Sequence, residues 1–373
     1  MGQNIGRLDK FIYRERKFEL KVSIVTVYDS INCGSYWQAY ALGKVIGDFG
    51  CDVVYNKRKK SGGASSSSAE QFKKFFSLCA KRGISAGMMY TKSLKTFKKS
   101  QKKLPISDSV NDIDCFVLGS DTIWNLDSNY FRLHSGTYWG IDFFPKKVIS
   151  YAASAANTKA DKVTEELHDA VGKMYAVSVR DSHTYSLIEH DNPKGISFVC
   201  DPTLLLQKED YLQLASVPVK KGFVFLYVFK ELSKEQMTAL KEFCKERNLR
   251  IVKGTSFYRP SYCDEVVMAE PVTFLSHMLE ADYIITDTFH GAVFSVNFNK
   301  RFISLDRGKN KVREFLSGVG LENRLIGENG NISDTLAKDI DYSSANRKIK
   351  MLRDESLYFL KSNIVGGYDE SIK

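Results

Sequence analysis

Four short stretches place reactive or anion-binding side chains just after runs of β-type residues. Residues 283–286 read Tyr-Ile-Ile-Thr, then Asp287 and Thr288 lead into Phe289, His290 and Gly291. A histidine in a first helical turn can move a proton, although the helix N-terminus disfavours its charged form unless a bound anion offsets the field. Ordinary packing as a core histidine is the other reading of His290. Arg180 ends a second run, Ser178-Val179. A guanidinium closing a buried strand needs an anion, and its planar fork matches a carboxylate or phosphate; Asp181 beside it, or a carbonyl, is the alternative partner. A third run is followed by Gly119-Ser120-Asp121-Thr122 and then Trp124. Asp121 can act there as a base or grip a sugar hydroxyl and Trp124 can stack on a pyranose; a helix cap and a core tryptophan explain the same residues. The fourth stretch, Asp29 to Ser35, carries an amide donor at Asn32 and, at Gly34, a residue that lets a ligand approach the backbone. A plain turn capped by Ser35 also fits it.

Such positions matter only where strands and helices alternate, because ligands of open α/β sheets sit beyond the carboxyl ends of strands, at helix N-termini. Brief β-branched runs occur at 22–27, 52–55, 115–118, 148–152, 176–179 and 196–199, with helical patterns at 35–49, 161–173 and 181–190. A second series runs strand 223–228, helix 233–247, strand 250–252, a short run 265–268, helix 271–281, strand 283–286, a helix, and strand 302–305. Ser233 suits a helix cap and Pro271 a first turn. The expected fold is α/β, with two Rossmann-like lobes facing a cleft. The first lobe takes residues 1–205, with Asp201-Pro202-Thr203 starting the linker; the second takes 206–341; and 342–373 supplies a last helix able to pack back on the first.

A chain of 373 residues with 26% charged and 43% hydrophobic side chains suits two globular cores. Seven cysteines, an odd number without a C-x-x-C pair, indicate reduced thiols and neither a disulfide framework nor a zinc site. The N-terminus has no apolar signal core, no stretch reaches spanning length, and Gly6 stands where a myristoylation signal wants Ser or Thr. A cytoplasmic location is therefore expected. G-x-G-x-x-G and Walker A motifs are missing, so dinucleotide and NTP chemistry lose their usual support. The D-x-D pairs at 112–114 and 339–341 read as acidic turns, the other five histidines lack ligand spacing, and no metal is expected.

Charge is concentrated in one place. Residues 57–103 hold 14 Lys/Arg against the single acid Glu70, leaving 40 basic and 43 acidic residues elsewhere. After the low-complexity stretch SGGASSSS, lysines recur at helical spacing with Tyr90, Leu94, Phe97 and Leu104 on another face. This basic amphipathic element reads as a solvated charged face, a nucleic-acid surface or a peripheral contact with the inner face of a membrane.

Taken in order, NCGSYWQAYAL (32–42), FVLGSDTIWN (116–125), SYAAS (150–154), SVRDS (178–182), DPTLLL (201–206) and ADYIITDTFHGAVFSVNFNKRFISL (281–305) resemble the polysaccharide pyruvyl transferase family. The chain departs from the family pattern at Thr122, at Thr288 for the usual serine, and at Cys33 and Ser35-Tyr36. The resemblance implies a GT-B-like fold and transfer of the enolpyruvyl unit of phosphoenolpyruvate to two hydroxyls of one sugar. A cyclic pyruvate ketal would form and phosphate would leave, with no cofactor and no obligatory metal. It further implies an acceptor such as galactose on a lipid-linked polysaccharide intermediate, which makes the membrane the expected contact of residues 57–103 and nucleic acid not the expected partner. In that reaction His290 is expected as general acid and Arg180 as the clamp on donor carboxylate or phosphate. Thr288, Phe289 and Gly291 are expected to add helix N-terminal contacts, and Asn32, Gly34, Ser120, Asp121 and Trp124 to shape the cleft or orient the acceptor. A GT-B-type glycosyltransferase using a sugar nucleotide, and a non-catalytic carbohydrate-binding homologue, share the same outline.

Overall fold

The structure is a computed structural model and describes residues 20–57, 68–254, 257–268, 270–308, 310–328 and 330–366. Five parallel strands form the first sheet: β1 (Lys21–Val25), β2 (Asp52–Asn56), β3 (Ile106–Ser107), β4 (Cys115–Leu118) and β5 (Lys147–Ser150), in the order β3-β2-β1-β4-β5. A parallel pair, β6 (Val177–Val179) and β7 (Ile196–Phe198), continues beyond β5 through a bridge from Ile149 to Ala176. The second sheet contains β8 (Phe223–Tyr227), β9 (Arg250–Lys253), β10 (Glu265–Val266), β11 (Tyr283–Thr286), β12 (Arg301–Leu305) and β13 (Leu325–Ile326). Its order, β10-β9-β8-β11-β12-β13, repeats the pattern of the first. Each sheet reverses winding beside its first strand, which opens a crevice at β1/β4 and another at β8/β11.

The central strands are apolar throughout because helices cover both faces of a parallel sheet. Every residue of β4, β8 and β11 is buried. The edge strands β3 and β13 are two residues long, too short to leave a period in the sequence; pairing of Tyr55 with Ile106 and of Ser304 with Leu325 defines them. The helix expected from 161 begins instead at Glu165, since Ala160–Lys162 closes its own 3-10 turn and Thr164 is extended at the N-cap position. Ser233 does cap its helix, with Gln236 completing a reciprocal capping box.

Two devices hold the lobes in register. One apolar cluster runs through both, joining Val22 and Ile24 of β1 to Phe223 and Phe225 of β8, while the Trp37 indole donates to Pro271 O at 2.9 Å. The helix Ser343–Ile364 bridges them as well. Ahead of it, Tyr342 donates its hydroxyl to Lys300 O in the second lobe; farther along, Ser356 Oγ accepts from Cys200 N at 2.9 Å and Phe359 lies 6.4 Å from Tyr151, both in the first. The cleft therefore has walls fixed by packed core. Among the described residues no helix is long and apolar enough to cross a membrane, and all seven cysteines are free.

Candidate active site

A cavity of about 460 Å³ lies where the two crevices face each other. From the first lobe it is lined by Asn32 and Ser35 after β1, and by Asp121 and Thr122 after β4; Thr288, Phe289 and His290 line it from the second. Local structure explains each placement. Asn32 caps the helix Cys33–Asp48, its side chain accepting from Gly34 N at 2.9 Å. Thr288 caps the helix Phe289–Asn297 by accepting from Gly291 N at 2.9 Å. Two helix N-termini thus converge on the cavity from opposite lobes, each favouring an anion there.

The two caps touch. A Cβ built on Gly34 would lie 2.1 Å from Nδ1 of His290 and 2.3 Å from its Cγ. Glycine is required at position 34 because the imidazole of the facing lobe occupies the space a side chain would take. His290 is consequently held in the cleft.

Behind it lies a charge cluster. Arg180 Nη1 donates to Asp201 Oδ2 at 2.5 Å, and His290 Nε2 stands 3.7 Å from that same oxygen. Arg180 Nη2 is 3.7 Å from Asp121 Oδ1, while Ser35 Oγ donates to Asp121 Oδ2 at 2.7 Å. The Phe289 ring has the Arg180 guanidinium 5.1 Å from its centroid and the Lys311 ammonium at 5.5 Å. Burial alone would push the Asp201 carboxyl up; His290 foremost, then Arg180, reverse that and hold it below the ordinary carboxylate range. Asp121 behaves alike, burial opposed by Arg180, His290 and Lys311 until its carboxyl also lies below its usual value. Even so, among the described residues Arg180 Nη2 and His290 Nε2 are buried without a hydrogen-bond partner. Buried polar groups in native proteins are nearly always satisfied, so these two unsatisfied nitrogens single out this corner of the cleft.

Several expectations need correction. Trp124 does not present a sugar platform: it is 0% exposed, donates to Tyr138 O at 2.9 Å and stacks on Trp139 at 4.7 Å. Ser120 is equally buried, its hydroxyl donating to Gln38 Oε1 at 2.8 Å, so it fixes the loop and is not among the residues lining the cavity. Gly291 cannot offer its N–H, which Thr288 has taken. Asp181 is not the partner of Arg180; it caps the helix Ser182–Ile188 by accepting from Thr184 N at 2.8 Å. That partner is Asp201, which the sequence presents as a linker turn. Asp112 of the first D-x-D pair bonds Lys21, and among the described residues no group of three His, Cys, Asp or Glu side chains is placed to hold a metal.

Lys311, Phe131 and Phe229 also line the cavity and were not singled out by sequence. Phe229 had a signal, since it stands just after β8 at the switch point, where ligands are expected. Lys311 follows β12 in a charged run that reads as surface.

Asp201→Asn should destabilise the protein by about 3–5 kcal/mol, because it leaves the buried guanidinium short of its counter-ion. Chemical denaturation would measure the loss. The pH dependence has a defined sign: a carboxyl whose folded value is depressed adds stability that is complete above its unfolded value of about 3.9 and is withdrawn as pH falls toward the folded value. Asp201→Asn should therefore flatten the acid limb of the stability profile.

Two parallel sheets of repeated Rossmann order, facing one another across a ligand cleft and tied by a C-terminal helix, define a GT-B-like protein. Solved structures agree on the fold. A candidate UDP-N-acetylglucosamine 2-epimerase from Listeria monocytogenes matches with a TM-score of 0.52 at 11% identity, over 94% of this chain and 98% of that one. UDP-GlcNAc 2-epimerase from Neisseria meningitidis, bound to UDP-GlcNAc, gives 0.52 at 8% identity over 93% and 100%. At such identities the likeness concerns architecture alone. Curated protein sequences yield no match. The family profile described as polysaccharide pyruvyl transferase matches residues 32–309. The chain belongs to that family, and it is a transferase that moves a pyruvyl group onto polysaccharide.

Proposed function

We propose that the pyruvyl donor is phosphoenolpyruvate and that the product is a cyclic ketal on two hydroxyls of a hexose such as galactose, carried on a lipid-linked polysaccharide intermediate. The observation that supports this reading is the pair of buried nitrogens without a partner among the described residues, Arg180 Nη2 and His290 Nε2, beside a cavity flanked by two helix N-termini. A small dianion with two acidic groups suits that arrangement. Arg180 takes one anionic group through Nη2 in a charge-assisted hydrogen bond, and Lys311, also beside the Phe289 ring, takes the second.

His290 donates a proton to C3 of the enol, turning the methylene into a methyl and leaving cationic character at C2. The donor carboxylate and the Asp121 and Asp201 carboxylates stabilise that charge. One sugar hydroxyl attacks C2, the C2–phosphate oxygen bond breaks, and the second hydroxyl closes the ring. Two hydroxyl protons are released; one replaces the proton given to C3 and the other leaves with phosphate. As written, the reaction requires no cofactor.

The acceptor platform assigned to Trp124 passes to Phe229. Its ring is 60% exposed and lines the cavity from the second lobe, opposite Phe131 of the first. Phe229→Ala should raise the KM for the acceptor about tenfold, equivalent to about 1.4 kcal/mol, with the KM for the donor unchanged; initial-rate kinetics in both substrates would show the split.

Thermal shift tests the donor. A ligand that binds only the folded state stabilises it by about 2.7 kcal/mol at a hundredfold excess over Kd. Phosphoenolpyruvate should raise Tm. Stabilisation by a UDP- or GDP-sugar with none by phosphoenolpyruvate would overturn the reading in favour of glycosyl transfer, and donor binding with no phosphate release on any sugar would mark a binding protein.

A further inference from the structure

The insertion between β2 and β3 contributes no side chain to the chemistry above. From residue 68 it contains a hairpin of two helices, Ser68–Arg82 and Ile84–Gln101, turned at Gly83 with φ of 88°. The helices meet closely at Gly87, where an added Cβ would lie 2.4 Å from Cys79 Sγ and 2.8 Å from the Phe75 ring. Ala86, Tyr90, Ser93 and Phe97 bury the second helix against the protein. With Phe75 and Cys79 committed to Gly87, the first helix turns Phe72 and Phe76 outward, 64% and 57% exposed, their rings 5.4 Å apart. Ile84 and Met88 are 71% and 63% exposed.

Charge follows the same geometry. Positions 84, 88, 92, 95, 99 and 102 fall at i+3 and i+4 spacing along one stripe; the first two are Ile and Met and the remaining four are Lys. Residues 68–103 hold ten Lys/Arg and the single acid Glu70. A merely solvated face needs lysines but not four large exposed apolar side chains. A nucleic-acid surface would use the lysines and leave Ile84 and Met88 without a role. Apolar side chains bordered by lysines are the pattern of a helix that lies in a lipid interface, its rings at the headgroup–acyl boundary and its ammonium groups on anionic headgroups.

We propose that this hairpin docks the protein on an anionic bilayer surface through Phe72, Phe76, Ile84 and Met88, with Lys92, Lys95, Lys99 and Lys102 on the headgroups. Docking sets the cleft near lipid. Gln101, at the base of the second helix, donates to Ser30 O at 3.5 Å, and Ser30 lines the cavity. The Arg82 guanidinium lies 4.0 Å from the Tyr258 ring of the second lobe, so the hairpin is braced against both lobes. An eighteen-residue helix spans about 27 Å, the scale on which a lipid-tethered sugar would reach the site. Docking does not depend on the identity of the donor.

Flotation of the full chain with vesicles tests it. Vesicles of phosphatidylcholine containing about a third phosphatidylglycerol should carry the protein, and binding should weaken as salt rises. Phosphatidylcholine alone should bind at least tenfold less. Phe72→Ser with Phe76→Ser, and separately Lys92→Gln with Lys95→Gln and Lys99→Gln, should each reduce binding at least tenfold while Tm and pyruvyl transfer to a water-soluble sugar stay unchanged. Should the phenylalanine pair lower Tm, the lysine set decides. No flotation, equal flotation with neutral vesicles, or flotation indifferent to both variant sets would overturn the proposal, as would retention on a single-stranded oligonucleotide without vesicle binding. If vesicle binding holds and pyruvyl transfer fails, the fault lies with the donor assignment and the docking surface stands.

Discussion

His290→Ala is expected to lower kcat by on the order of 10²–10⁴, the range for loss of a positioned general acid, while leaving Tm close to wild type and phosphoenolpyruvate still able to raise it. The separation follows from the geometry. Arg180 and Lys311, both beside the Phe289 ring and proposed to hold the donor, are untouched by the substitution. The imidazole packs on Gly34 at the cleft wall, 9% exposed, and its loss opens space toward the cavity more than within a closed core. Circular dichroism, thermal shift with phosphoenolpyruvate and phosphate-release kinetics on one preparation read the three quantities. Unaltered kcat, or an unfolded variant, would return His290 to the role of a packing residue.

Gly34→Ala should have an effect nearly as large, although glycine does no chemistry. An added methyl would come 2.1 Å from His290 Nδ1, closer than any real Cβ contact, so the ring must swing out of its place. Misplacing a catalytic group by about 1 Å costs about a hundredfold. A double-mutant cycle tests this: if both changes act on the same imidazole, the pair should be no slower than His290→Ala alone. Multiplicative effects would mean that Gly34 matters for another reason, such as the cap at Asn32.

How much of this was readable in advance depended on whether a feature was local. β4 and β11 are continuous apolar runs bounded by turn residues, and the sequence reading places both at their observed limits, Cys115–Leu118 and Tyr283–Thr286. The cap at Ser233 is equally local, set by side chains and N–H groups three residues apart, whereas the choice between Asp287 and Thr288 as the cap before His290 is made by the structure, in favour of Thr288. What escaped was convergence. Asp201 follows β7 and precedes a proline, a turn signal, and nothing nearby in sequence says that its carboxylate meets Arg180 and, from the other lobe, His290. The anion that Arg180 required was foreseeable; choosing Asp201 over adjacent Asp181 required the fold. Trp124 failed for a related reason. A tryptophan after a strand suits a sugar platform or a core, and only its stack on Trp139 and bond to Tyr138 O decide between them. Gly34 is the converse case: singled out for ligand approach, it is shaped by the approach of His290.

The joining of the lobes also explains why a cleft built from loops can be precise. Core packing continues across the junction through Trp37, Tyr211 and Phe294, with ring centroids 5.8 Å and 5.1 Å apart, so Asn32 and Thr288 are presented from rigid helices. Electrostatic preorganisation follows, since the two depressed carboxylates and the buried Arg180 guanidinium are in place before any ligand arrives.

The donor assignment can be tested most directly by incubating the protein with phosphoenolpyruvate and a galactose-containing acceptor, then following phosphate release alongside the mass and methyl proton signal of the sugar product. The prediction is stoichiometric phosphate, an acceptor heavier by one pyruvate less one water, and a new ketal methyl singlet, all three lost in His290→Ala. Phosphate released without a ketal, or an acceptor modified only when a sugar nucleotide is supplied, would contradict it.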